Sequence, residues 1–264
     1  MNLPTVSEAI NIMVEEQIPH SEQVIHLEGV SVRYRVPSER IGTFKEYMIR
    51  RLKRQVQMRT FWALKGINVD VYRGEIFGFV GDNGAGKSTL LKVVARVLRP
   101  TKGRVIVRGR VAPLLELGAG FHPELTGKEN IFLNGALLGF SHREMLEKYD
   151  QIVDFSELGE FINAPIRTYS TGMYARLGFA VATASEPDVL IVDEILGVGD
   201  ETFQKKCAAR IEDFCRRGTS ILLVSHSMAT IEAMCQRAAW LDHGVLKFVG
   251  EPGQVIRAYR EKER

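Results

Sequence analysis

Apolar and polar positions change period several times along this chain, and each change predicts an element. In "VIHLEGVSVRYRV" the residues Val30, Val32, Tyr34 and Val36 alternate with other positions, the two-residue period of a half-buried strand. "FWALKGINVDVYRGEIFGFVG" reads as two strands around the turn "YRGE". "STLLKVVARVL" then carries apolar residues at helical spacing, and "PTKGRVIVRGRVAPLLEL" returns to strands. The middle, roughly residues 123–168, is helix-rich. After it, Met173, Leu177, Val181 and Ala184 recur on one helical face behind Ser170, a residue type suited to cap a helix N-terminus. "VLIV" and "ILLV" are unbroken apolar runs of strand length, separated by a helix around "ETFQKKCAARIEDFCRRG"; another helix and a hairpin complete the pattern. Strands alternating with helices predict an α/β fold on a mainly parallel sheet, with the helical block as an insertion.

Composition narrows the class. Of the 264 residues, 45% are hydrophobic and 25% charged, enough to bury a substantial core. The net charge of +3 is too small to argue for a nucleic-acid partner. Cys207, Cys215 and Cys235 form no C-x-x-C pair, which fits reduced, inert thiols rather than a disulfide framework or a zinc site. "MNLPTVSEAINIMVEEQ" lacks the basic start and apolar centre of a signal peptide, and residues 1–23 are expected to be an accessory extension. No apolar run approaches the length needed to cross a bilayer, so the chain is expected to be soluble.

The strongest chemical signal is "GDNGAGKST", with Gly81, Gly86, Lys87 and Ser88 matching G-x-x-x-x-G-K-[ST] between a strand and a helix. Glycines let the backbone of Gly81, Asp82, Asn83, Gly84, Ala85 and Gly86 wrap close to phosphate, and the helix N-terminus after it favours an anion. Lys87 suits the β- and γ-phosphates of a nucleotide, Ser88 suits Mg²⁺, and Thr89 completes the loop. "GAGFHP" after Leu117 lacks the third glycine of a dinucleotide fingerprint. Downstream, "VLIVDE" carries Asp193 to the C-terminal end of a buried strand, where it suits Mg²⁺, with Glu194 next to it as a general base toward water. "LLVSHS" carries His226 to the end of another strand of the same sheet, which favours a γ-phosphate contact over simple packing.

These motifs, in this order, resemble those of ABC transporter ATP-binding subunits over roughly residues 24–250. The resemblance implies a P-loop NTPase (RecA-like) core with a mainly parallel sheet, an antiparallel β subdomain and an inserted helical subdomain at about residues 117–176. It implies ATP and Mg²⁺ as ligands, Tyr34 as the aromatic stacked on adenine, and "GVGD" as the D-loop, with Asp200 at a subunit interface. It also gives "YSTGM" a role. In the family, L-S-G-G-Q at this place contacts the γ-phosphate bound by the opposite subunit, so Ser170, Thr171 and Gly172 are expected to act in trans within a homodimer. "LLELGAGFHPELTGKENIFLNG", "YSTGMYARLGFAVAT" and "VDEILGVGDETFQKKC" are similar to the branch that exports O-antigen, capsule or teichoic-acid chains. That branch implies a separate polytopic permease, a lipid-linked polysaccharide cargo, and a peripheral place on the cytoplasmic side of the inner membrane.

Two features depart from the family pattern, and the C-terminal end adds a third observation. "LLELGAG" stands where a glutamine usually touches Mg²⁺, leaving Glu116 as the nearest polar candidate. A basic amphipathic insertion, about residues 37–60, spaces Ile41, Phe44, Met48 and Leu52 near a helical period and crowds Arg50, Arg51, Lys53 and Arg54 together. It suits an acidic membrane surface or a pyrophosphate-linked glycolipid. Residues 251–264 read as a short tail with no room for the glycan-binding domain of some O-antigen exporters. The rival is a soluble ABC ATPase working on nucleic acid or ribosomes. Such proteins carry paired ATPase domains or long coiled coils, and neither pattern is visible, so no nucleic acid is expected.

Overall fold

The computed structural model describes residues 22–37, 58–114, 117–193, 199–225 and 227–262. Two sheets organise them. The smaller has the order β2-β1-β4, with β1 at Gln23–Pro37, β2 at Met58–Tyr72 and β4 at Lys102–Val107, all antiparallel. The larger has the order β5-β6-β7-β3-β8-β9: β3 is Ile76–Val80, β5 Val111–Pro113, β6 Val189–Asp193, β7 Ser220–Val224, β8 Arg237–Asp242 and β9 Val245–Gly250. Its neighbours run parallel except for the β8–β9 hairpin. The expected α/β, P-loop architecture is therefore present, antiparallel subdomain included.

The apolar runs owe their continuity to burial on both faces. Phe77 and Phe79 of β3, Val189 and Ile191 of β6, and Leu222 and Val224 of β7 face a core shared with the small sheet. Helix α1, Lys87–Val94, enters that core through Leu90, Leu91 and Val94. Ile76, Val80, Leu190, Val192, Ile221 and Leu223 face the opposite core. The strands flanking "YRGE" do not form a hairpin, because β2 pairs with β1 while β3 pairs with β7 and β8. Glu75, buried in that turn, accepts from Tyr72 N at 2.8 Å and from Arg237 Nη1 at 3.0 Å, tying the two sheets together.

The inserted block contains α2 (Gly127–Leu137) and α3 (His142–Ser156), each begun by a capping box, Thr126 with Glu129 and Ser141 with Glu144. Helix α4, Thr171–Ala182, starts at Ser170, whose Oγ accepts from Met173 N at 3.1 Å; Leu177 and Val181 are buried as expected, and Ala184 lies past the helix end. Helix α5, Glu201–Arg216, joins the same core through Phe203, which meets Phe155 at 5.7 Å and Phe179 at 6.3 Å between ring centroids. Replacing Phe203 by alanine empties a site with no solvent exposure and is expected to cost about 3–5 kcal/mol, read as a lower denaturant midpoint at unchanged slope.

Two expectations about boundaries change. Residues 58–60, placed in the basic insertion, belong to β2 and pair with β1; residues 38–57, with the basic cluster, lie outside the described residues. Helix α6, Met228–Met234, precedes the hairpin, and the segment expected as a tail instead forms helix α7, Pro252–Lys262. Val255 and Ile256 of α7 are buried in the same core as Ile76 and Ala238, so the packed domain extends beyond residue 250. That spacing, with Tyr259 one turn further on, is a helical pattern compressed into a short segment.

Burial disfavours the thiolate form of all three cysteines. Burial pushes the Cys207 and Cys235 thiols up to about 12 and Cys215 up to about 11. All three stay protonated in the native protein at pH 8, so a thiol reagent is expected to label them only after denaturant is added. Unfolded thiols ionise above about pH 8.5 while the native ones do not, so these groups lower stability only as pH rises past that point. Labelling of the native protein at pH 8 would contradict this.

Candidate nucleotide-binding site

Strand β3 ends at Val80 and delivers the chain into the glycine loop, after which α1 begins at Lys87. Backbone shape accounts for the glycines. Gly86 sits at φ 109°, and a Cβ there would stand 2.7 Å from the Ala63 carbonyl oxygen; at Gly81 it would collide with the Leu241 carbonyl. Gly86 provides no side-chain cap, so α1 presents its N-terminus to the loop as an anion site. The Lys87 ammonium is folded onto the loop, donating to the Gly81 and Asp82 carbonyls, the latter at 3.0 Å. The Asp82 carbonyl also accepts from Ala85 N at 3.1 Å, which closes the turn.

A cleft of about 670 Å³ opens over this loop. Asp82, Asn83, Gly84, Gly86, Lys87, Ser88 and Thr89 form its floor, and Val224 at the end of β7 reaches it. Asp193 pairs with Val224 in the ladder, which brings the acid-ended strand to the same edge of the sheet. The Asp193 side chain lies outside the described residues, as do Glu194, His226 and Glu116. Tyr34 lines the cleft beside Phe61, with ring centroids 5.6 Å apart, while its inner edge packs on the core. Phe61, Trp62, Lys65 and His243 also line it, four residues that no motif singles out. Only the strand period of "FWALK" hints at the first two, and the β8–β9 turn that holds His243 is brought in by topology.

Ser170, Thr171 and Gly172 lie elsewhere, with Gly199 and Asp200, around a second open cleft of about 680 Å³. The two clefts have no lining residue in common. Asp200 caps α5 by accepting from Phe203 N at 2.9 Å and pairs with Arg176 Nη2 at 2.5 Å; Arg176 also donates to Glu157 at 3.0 Å. The Phe203 amide, then Arg176, holds the Asp200 carboxyl below the usual range. Arg176 thus joins helix α4 to the segment before α5, a link the sequence pattern does not reveal. Gly172 is notable for what surrounds it: a Cβ there would meet only Ser170 Oγ, at 3.8 Å, so packing within the chain does not demand a glycine.

A parallel sheet that brings a glycine loop, its lysine and an acid-ended strand to one crevice defines a P-loop nucleotide-hydrolysing protein. The ABC transporter family model matches residues 64–197. The chain belongs to that family, as an ATP-binding protein and an ATPase. It is 46% identical over 243 residues to an O-antigen export system ATP-binding protein, RfbB, of Klebsiella pneumoniae, an alignment covering 91% of this chain and 98% of that one. To the RfbB of Myxococcus xanthus it is 48% identical over 249 residues, covering 92% of this chain but 57% of that relative's length. To the teichoic acids export ATP-binding protein TagH of Enterococcus faecalis it is 43% identical over 206 residues, 78% of this chain and 46% of that one. The fold is similar to that of a solved dimeric ATP-binding cassette in a post-hydrolysis state bound to ADP and Pi, with a TM-score of 0.65 at 20% identity, over 86% of this chain and 98% of that one.

Proposed function

We propose that this ATPase powers export of a lipid-linked polysaccharide of O-antigen, capsular or teichoic-acid type. It works as a head-to-tail homodimer with a separate membrane-spanning permease on the cytoplasmic side of the inner membrane. The observation that carries the reading is the 46% identity with an export-system ATP-binding protein along 98% of that relative. Among the described residues no helix is long and apolar enough to cross a membrane, so the translocation path is assigned to the partner.

Each site draws on both copies. ATP lies over the glycine loop, with Lys87 turning from the loop carbonyls to the β- and γ-phosphates and Tyr34 against the adenine. Ser88 and Asp193 would hold Mg²⁺, a reading supported by Ser88 on the cleft floor and by the pairing of Asp193 with Val224; the ion would offset charge on the phosphates. Glu194 takes the proton of the attacking water, His226 contacts the γ-phosphate, and Glu116 stands where the family's glutamine reaches toward the metal. Ser170 and Gly172 of the second copy close the site from above, and Asp200 sits at the interface. Two features support this: the signature and nucleotide clefts are separate within one chain, and Gly172 has an open approach that its own chain leaves unused.

Arg50, Arg51, Lys53 and Arg54 are assigned to acidic headgroups or the glycolipid pyrophosphate. Co-purification from membranes tests the reading as a whole. A polytopic permease recovered with the tagged chain, together with loss of surface glycan in a strain lacking it, is the expected result. Recovery with ribosomes or nucleic acid and an unaltered cell surface would favour the rival soluble ATPase.

A further inference from the structure

An acid stands inside the phosphate loop, and the far end of the chain holds it. Asp82 lines the nucleotide cleft, where a free carboxylate would oppose the triphosphate. Its Oδ1 accepts from the Tyr259 hydroxyl at 2.6 Å and its Oδ2 from Lys262 Nζ at 3.1 Å, both on α7. Lys262 is itself held, donating to Asp242 Oδ1 at 2.6 Å, and Asp242 also pairs with His243 Nδ1 at 2.7 Å. The next residue, Gly244, donates its N–H to the Ala85 carbonyl at 2.8 Å, a second tie between this region and the loop. Helix α7 is fixed by the burial of Val255 and Ile256, and Tyr259 packs edge-on against Trp240 with ring centroids 6.1 Å apart. The Tyr259 hydroxyl, and then Lys262, holds the Asp82 carboxyl below the usual range. The same residue's carbonyl is one of the two that receive Lys87.

We propose that Tyr259 and Lys262 are positioning residues for ATP binding: they draw the Asp82 carboxylate away from the nucleotide. Neither lines the nucleotide cleft, and both act through Asp82. The inference rests on nucleotide binding at this loop, which the wild-type protein's own ATP titration checks separately.

The test is a double-mutant cycle in ATP hydrolysis by the full chain. Tyr259→Phe with Lys262→Met is expected to raise KM for ATP about fivefold or more, because the carboxylate is released toward an anionic ligand, while kcat changes less than about twofold. In an Asp82→Asn background the same two substitutions are expected to change KM less than about twofold, because the charge they manage is gone. Two outcomes would overturn the proposal: an unchanged KM in the Tyr259→Phe/Lys262→Met protein, or an equal rise in both backgrounds. The latter would mean that α7 acts by general packing. Thermal melts run alongside show whether any loss of activity reflects unfolding.

Discussion

Lys87→Ala is expected to slow steady-state ATP hydrolysis by about 10²-fold or more while leaving the fold in place. The loop and its helix are set by glycine conformations and by the burial of Leu90, Leu91 and Val94, none of which needs the ammonium. The substitution leaves the Gly81 and Asp82 carbonyls without this donor, but the Asp82 carbonyl still accepts from Ala85 N, and Asp82 lies on an open cleft. The structural cost is therefore small. The functional cost is expected to be large, because the proposed role of the lysine is to meet charge on the transferring phosphate. Removing one such preorganised group costs about 10²–10³ in rate. A phosphate-release assay is expected to show at least that loss, with a melting temperature close to wild type. Retained hydrolysis would remove Lys87, and with it the glycine loop, from the chemistry.

Glu194→Gln carries the second large effect. The amide keeps the shape of the carboxylate and loses its capacity to take a proton from water. General-base catalysis contributes about 10²–10⁴, and the turnover rate is expected to fall by an amount in that range. Binding is expected to be untouched, so ATP is expected to persist in the site and to hold the two copies of the proposed dimer together. Normal turnover in this variant would assign the base elsewhere.

Much of this site is legible in the amino-acid sequence. The glycine loop declares itself because "GDNGAGKST" must combine tight backbone turns, a lysine and a helix start, a combination few other local structures require. Strands β3, β6 and β7 stand out because burial on both faces removes their polar positions. Ser170 stands out because a capped helix has a fixed grammar. What escapes reading is the part made by distance along the chain. The order β5-β6-β7-β3-β8-β9 follows from crossovers, not from any local pattern. The contact of Asp82 with Tyr259 joins residues 177 positions apart, and no periodicity announces it. A helix as short as α7, with two adjacent buried residues and a charged remainder, resembles a solvated tail until the core beside it is known.

In the proposed dimer, one nucleotide site is completed by the signature segment of a second copy. Ser170 is exposed, and replacing it loses one N-cap bond, worth about 1 kcal/mol, so a Ser170→Arg chain is expected to fold and bind ATP. The decisive measurement is molar mass by light scattering with and without ATP and Mg²⁺. Glu194→Gln is predicted to double in mass on adding ATP, and the Ser170→Arg/Glu194→Gln protein to remain monomeric while still binding the nucleotide. Equal, ATP-dependent doubling of both proteins would contradict the shared site.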